Sequence, residues 1–151
     1  MRGDPLTSDP LIPWLQARGV AVAPHHLGAT PIQIGHGFCY RQIYLAWRFD
    51  PETRRVWILL VRLEGVRAGL ANPFAALYLL AEATLAVLGP GHFLYGNVDV
   101  FRGSSLSGER LGRFYLRWTG ASEPEPGWFM LAAEQVCSLR DMRKRQKHGL
   151  A

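Results

Sequence analysis

The most continuous apolar stretch of the chain runs from Asn72 to Gly89, NPFAALYLLAEATLAVLG. Asn72 suits an N-cap, because its side-chain oxygen can accept a hydrogen bond from a backbone N–H of the first turn. Pro73 then stands at the first helical position, where its missing donor costs nothing. Gly89 can take the left-handed conformation that closes a helix, and Pro90 prevents continuation. Between these signals Glu82 and Tyr78 are the only ionisable residues. A surface helix shows a single apolar stripe, whereas this one is apolar on every face, so the pattern predicts a central helix enclosed by other elements. It falls short of the roughly 20 apolar residues that a membrane span needs.

Upstream, residues 9–19 (DPLIPWLQARG) predict a short helix with Leu11, Trp14 and Leu15 on one side, Pro13 making its first turn irregular and Gly19 stopping it. Residues 20–23 read as a brief strand, after which Pro24, Gly28 and Pro31 predict turns. In residues 31–40, Ile32 and Ile34 alternate before a Gly35–Gly37 turn region, and residues 42–49 put Ile43, Leu45 and Trp47 on one face of a strand. The nearly continuous apolar run of residues 55–63 (RVWILLVRL) predicts a central strand covered on both faces. A turn over residues 50–54 joins it to the preceding strand as an antiparallel hairpin.

Downstream of the central helix, residues 92–100 read as a strand with Phe93, Tyr95 and Val98 inward and Gly96 as a bulge site. Residues 106–119 predict a second helix, with Leu111, Phe114, Tyr115 and Trp118 on its apolar face and Gly120 at its end. Residues 128–136 predict a final strand. Strands outside a regular βαβ alternation argue for an α+β fold: one mostly antiparallel sheet of about five to six strands, a buried central helix and a second helix packed on the sheet.

A chain of 151 residues is one domain by default and can bury a core without disulfides or metal. The expected organisation is a flexible N-terminal tail at 1–8, a single α+β domain at 9–137 and a basic C-terminal tail at 138–151. The balance of 48% hydrophobic and 19% charged residues argues against extensive disorder. The formal net charge is +5, carried almost wholly by arginine, since only Lys144 and Lys147 are lysines. Such a balance permits an acidic protein, a nucleic acid or a membrane surface as partner and does not choose among them. Cys39 and Cys137 stand in no metal-ligand spacing and read as reduced thiols. The N-terminus shows no signal-peptide core and no transmembrane segment is evident, so a cytoplasmic location is expected.

Candidate chemistry is sparse. His25, His26 and His36 lack further ligands at a zinc spacing and read as surface or turn histidines. In Gly103-Ser104-Ser105-Leu106-Ser107-Gly108 the second glycine comes one residue late for a nucleophile elbow, and serines before a helix serve as N-caps. No paired carboxylates stand out; Glu82 and Asp99 are expected to be structural acids, Glu82 with a pKa raised by desolvation. The order of strand, Arg/Gly loop, helix, strand and helix resembles the N-acyltransferase arrangement in outline, where the loop before the helix binds an acyl-CoA pyrophosphate. That loop is Q/R-x-x-G-x-G/A, and here Arg62-x-x-Gly65-x-Arg67 ends on arginine, which argues for a shared shape without catalysis. No catalytic, cofactor-binding or metal-binding residues are assigned.

What remains is charge. Arg110, Arg113 and Arg117 form a basic stripe along the second predicted helix, and Arg140, Arg143, Lys144, Arg145 and Lys147 crowd the C-terminal tail. These eight are the candidate partner-binding residues, weighed against a solvated face and a free end. No helix-turn-helix supports a DNA-reading role, because the second predicted helix is flanked by strands.

The runs DPLIPWL (9–15), LAWR (45–48), RRVWILLVR (54–62), GLANPFAALYLLA (69–81), VLGPGHFLYGNVDV (87–100), GSSLSGERLGRFYLRWTGA (103–121), GWF (127–129) and MRKRQ (142–146) closely resemble the low-calcium-response regulator R family (LcrR/PcrR). The likeness is colinear over residues 9–146. It implies a cytoplasmic, non-enzymatic regulator of bacterial type III secretion, acting in the low-calcium response of virulence systems and encoded among export-apparatus components. The implied partners are a secretion gatekeeper, a chaperone or an export-gate component. Some family members carry the label of transcriptional regulator, which keeps nucleic acid as an alternative partner. The family supplies no established catalytic or ligand residues.

Overall fold

The computed structural model describes residues 9–64, 73–97 and 128–138. Its strands are β1 (Val22–His26), β2 (Gln33–Tyr40), β3 (Ile43–Asp50), β4 (Arg55–Leu63), β5 (Phe93–Asn97) and β6 (Trp128–Ala132), with helix α1 (Leu11–Ala17) before β1 and α2 (Pro73–Leu88) between β4 and β5. They form one six-stranded sheet whose spatial order is the chain order. Neighbours are antiparallel except β4 and β5, which are parallel and joined by the α2 crossover. The α+β reading holds, with one βαβ unit inside an otherwise antiparallel sheet.

Period-two alternation builds the core. Ile43, Leu45 and Trp47 of β3 are fully buried on one face, as their spacing predicts. The register sets Leu45 between Phe38 and Val61, and Val56 beside Leu94, so one apolar layer crosses β2 to β5. Helices α1 and α2 lie on that layer, contributing Leu11, Leu15, Leu77 and Leu80, all with no exposed surface. Each such side chain taken from water stabilises the fold by roughly 1.5–3 kcal/mol.

Pro73 opens α2, and Gly89, at φ +83, closes it with its N–H donated to the Leu85 carbonyl. The buried Thr84 hydroxyl donates to the Leu80 carbonyl. Enclosure is not complete: Val87 is exposed, and Glu82 is half-buried rather than a core acid. No described helix is long and apolar enough to cross a membrane.

Several sequence readings need correction. Pro24 sits within β1, which is at the edge of the sheet among the described residues, where a missing N–H is tolerated. Gly35 and Gly37 make no turn; β2 runs straight through them. A Cβ at Gly35 would collide with the Trp47 carbonyl and the Leu59 side chain, and one at Gly37 with the Tyr44 phenol, so both permit close approach. In β5 it is Leu94 that faces Val56 and Leu131 in the core layer, while Phe93 and Tyr95 take the other face. Gly96 is no bulge; a Cβ there would press on Phe129 and on Ile58. The irregularity falls at Leu59, skipped between the pairs Trp47–Ile58 and Ala46–Leu60. After β6 the chain turns helical over 133–138, where a continued strand was expected. The second predicted helix at 106–119, Asp99, the serine-glycine run at 103–108 and both terminal tails lie outside the described residues.

Candidate interaction surface

Arg110, Arg113, Arg117, Arg140, Arg143, Lys144, Arg145 and Lys147 also lie outside the described residues. The described sheet carries cations of its own, on the face turned away from α1 and α2. In β3 and β4 the residues alternating with the core positions are Tyr44, Arg48, Arg55, Trp57 and Arg62. The Arg55 guanidinium lies 4.3 Å from the centre of the Tyr95 ring, a cation–π distance. Tyr95 meets Trp57 edge-on at 4.6 Å and stacks on Trp128 at 5.4 Å. Beside this aromatic group an open cleft is lined by Ile34, Arg48, Trp57 and Leu59, with Asp50 and Glu52 at its rim. The Asp50 carboxylate is committed to the β3–β4 turn, accepting the Glu52 N–H at 3.1 Å and the Thr53 hydroxyl at 2.7 Å. Arg48 is thus the exposed cation beside an apolar floor.

A second group stands toward β1. With no side chain at Gly37, the Tyr44 ring reaches across β2 and its hydroxyl shares a hydrogen bond of 2.8 Å with His25 Nδ1. Arg62 lies 5.0 Å from the Tyr44 ring centre and is ion-paired with Glu64. Partial burial lowers the His25 pKa, helped by the Arg62 and His26 charges, and burial raises that of Tyr44. Both shifts favour the neutral forms, which suits a hydrogen-bonded pair.

On the helix side, Asp9 accepts the Leu11 N–H at 2.9 Å and the Trp47 indole N–H at 3.0 Å, tying the start of α1 to the centre of the sheet. His36 is buried beside Trp47 in β2, which corrects its reading as a surface or turn histidine; His25 is half-buried in β1, and His26, at the end of that strand, is exposed as expected. No group of three or more His, Cys, Asp or Glu that could hold a metal occurs among the described residues.

Tyr95 is itself buried and Trp57 and Trp128 are half-buried, so the accessible groups of this face are the exposed Arg48 and Arg62, whose guanidiniums can take carboxylates. The signal for this face was present in YLAWRF and RVWILLVR. Counting those runs by alternate positions separates Tyr44, Arg48, Arg55 and Trp57 from the core residues, but not Arg62. The bulge at Leu59, which shifts that count by one within β4, is not visible in the sequence.

Comparison with known proteins gives one family. A family model described as type III secretion system regulator (LcrR) matches residues 8–147. The chain is 55% identical over 146 residues to the low calcium response locus protein R of Yersinia pestis, covering 97% of this chain and 100% of that one. The proteins of the same name from Yersinia pseudotuberculosis and Yersinia enterocolitica match with the same identity and coverage. No solved structure matches.

Proposed function

Because the chain belongs to the LcrR family of type III secretion system regulators, we propose that it regulates secretion in the cytoplasm, without catalysis, by binding a protein of the secretion system. The partner class is a gatekeeper, a chaperone or an export-apparatus component. The observation that carries this reading is the near full-length match to low-calcium-response proteins of the same length class. The exposed Arg48 and Arg62 of the sheet support it further, since a partner of acidic character can pair with them.

The basic stripe Arg110, Arg113 and Arg117 and the tail residues Arg140, Arg143, Lys144, Arg145 and Lys147 are the proposed contacts. Reversing charge at Arg113 and Arg117 together is expected to weaken partner binding by on the order of tenfold, with the thermal midpoint unchanged. Co-purification and a melting curve on the same variant check both halves. Undiminished binding removes the stripe from the interface. Against a nucleic-acid partner the same charges would act by counterion release, and affinity would fall steeply with salt whether or not secretion proteins were present.

A further inference from the structure

Residues 19–40, between Arg18 and Arg41, are the longest stretch of the chain without an Asp, Glu, Lys or Arg, although 19% of all residues are charged. Along α2 a shorter gap in charge goes with burial. Here it does not, because every residue from His26 to Ile32, at the end of the β1–β2 hairpin, is exposed. Leu27 and Ile32 are 52% and 56% exposed, more than any other large apolar side chain among the described residues. A solvated surface carries charge on about a quarter to a third of its positions, and this one carries none beyond what His26 can take up.

The loop also holds a definite shape. The Leu27 N–H donates to the Ile32 carbonyl at 2.8 Å, and the Thr30 N–H to the Leu27 carbonyl at 3.0 Å. The Thr30 hydroxyl donates to that same Leu27 carbonyl at 2.6 Å and accepts the Ile32 N–H at 3.3 Å. Gly28, at φ +54, and Pro31 supply backbone angles that a turn needs. Leu27 and Ile32 are thus opposed across the base of the loop, next in line after the pair His26–Gln33. Opposed residues of an antiparallel pair carry their side chains on one face. Two aliphatic groups held side by side in this way lose little further freedom on binding.

Charge decides what meets it. Nucleic acid and anionic membranes are held through Lys and Arg, and the hairpin from Gly19 to Tyr40 has neither. Two aliphatic side chains offer less apolar area than one acyl chain, which by itself anchors a protein only marginally, so a lipid surface is a poor match as well. A concave, uncharged pocket of a protein buries both side chains without stripping water from any ion. We infer that the Leu27–Ile32 end of the β1–β2 hairpin docks into an uncharged apolar pocket on the secretion-system protein that this chain binds. This rests on the partner-binding reading above and adds an apolar anchor to the proposed arginine contacts. The two surfaces divide the work: the arginines draw in an acidic partner, and the hairpin fixes which pocket is engaged.

The test uses the full chain, tagged, in cells expressing the secretion system, with a photo-activated benzophenone amino acid at Ala29 or, as control, at the exposed Gln16 of α1. Ala29 is expected to crosslink to a secretion-system protein, at a site formed by uncharged apolar residues, and Gln16 is not. Leu27→Ser combined with Ile32→Ser, both at exposed positions, should lower nuclease-resistant recovery of that protein by about tenfold with an unchanged melting curve. Leu27→Met combined with Ile32→Val should restore recovery. The ratio of wild type to the serine pair should be the same at about 0.05 M and 0.5 M salt, because the pair removes no charge. Undiminished recovery with the serine pair would overturn the inference and leave the partner-binding reading standing. Equal crosslinking from both positions, or an Ala29 crosslink to lipid, nucleic acid or a second copy of this chain, would overturn it too. A wild-type chain that recovers no secretion-system protein would end the partner-binding reading, and the inference with it.

Discussion

Asp9 is buried with its carboxylate between two donors, the Leu11 N–H and the Trp47 indole N–H. Replacing it with asparagine keeps one acceptor and turns an amide N–H against the other donor. The expected cost is about 1–3 kcal/mol, measured by chemical denaturation. Burial raises the Asp9 pKa above its ordinary value of 3.8, partly offset by these two hydrogen bonds and by the charge of His36. The folded state therefore binds the proton more tightly than the unfolded chain. Stability from this group is complete below 3.8 and declines as pH rises through the folded value. The gap between wild type and Asp9→Asn should accordingly narrow as pH rises from that point; a gap that widens would contradict the assignment. His25 and His36 act in the opposite sense, both pKa values being lowered chiefly by burial, so their contribution is complete above 6.5 and is lost below it as pH falls through the folded values. Gly37→Ala would place a methyl group inside the Tyr44 phenol and break its bond to His25. Overpacking of that kind costs about 1–3 kcal/mol, which a denaturation curve will register.

At the scale of elements, α2 gives the sharpest contrast. Leu80 is fully buried against the sheet, and Leu80→Ala should cost about 2–5 kcal/mol. Val87, on the exposed final turn, should tolerate alanine within about 0.5 kcal/mol. Equal effects at the two positions would mean that the helix packs otherwise. This helix was legible because its signals are local: a proline start, a glycine stop and uninterrupted apolar content between them. Strand β3 was legible for the same reason, its alternation being read from eight consecutive residues. What could not be read depends on neighbours distant in sequence. The glycines of β2 look like a turn until the Tyr44 ring and the Trp47 carbonyl are placed against them. The inward side of β5 is set by its register with Val56, and apolar residues at Phe93, Leu94 and Tyr95 fit either choice.

For the molecule as a whole, the order of the described strands in space equals their order in the chain, and the parallel step from β4 to β5 is made through α2. One face of the sheet is spent on the core; the other presents arginine and aromatic side chains within a chain of net charge +5. The decisive measurement is recovery of the tagged protein from cells expressing the secretion system, with nuclease treatment before mass spectrometry. The account expects a gatekeeper, chaperone or export-gate protein to remain bound after nuclease, and to be lost when Arg113 and Arg117 are reversed in charge. Loss of every partner on nuclease treatment alone would contradict it and assign the protein to nucleic acid.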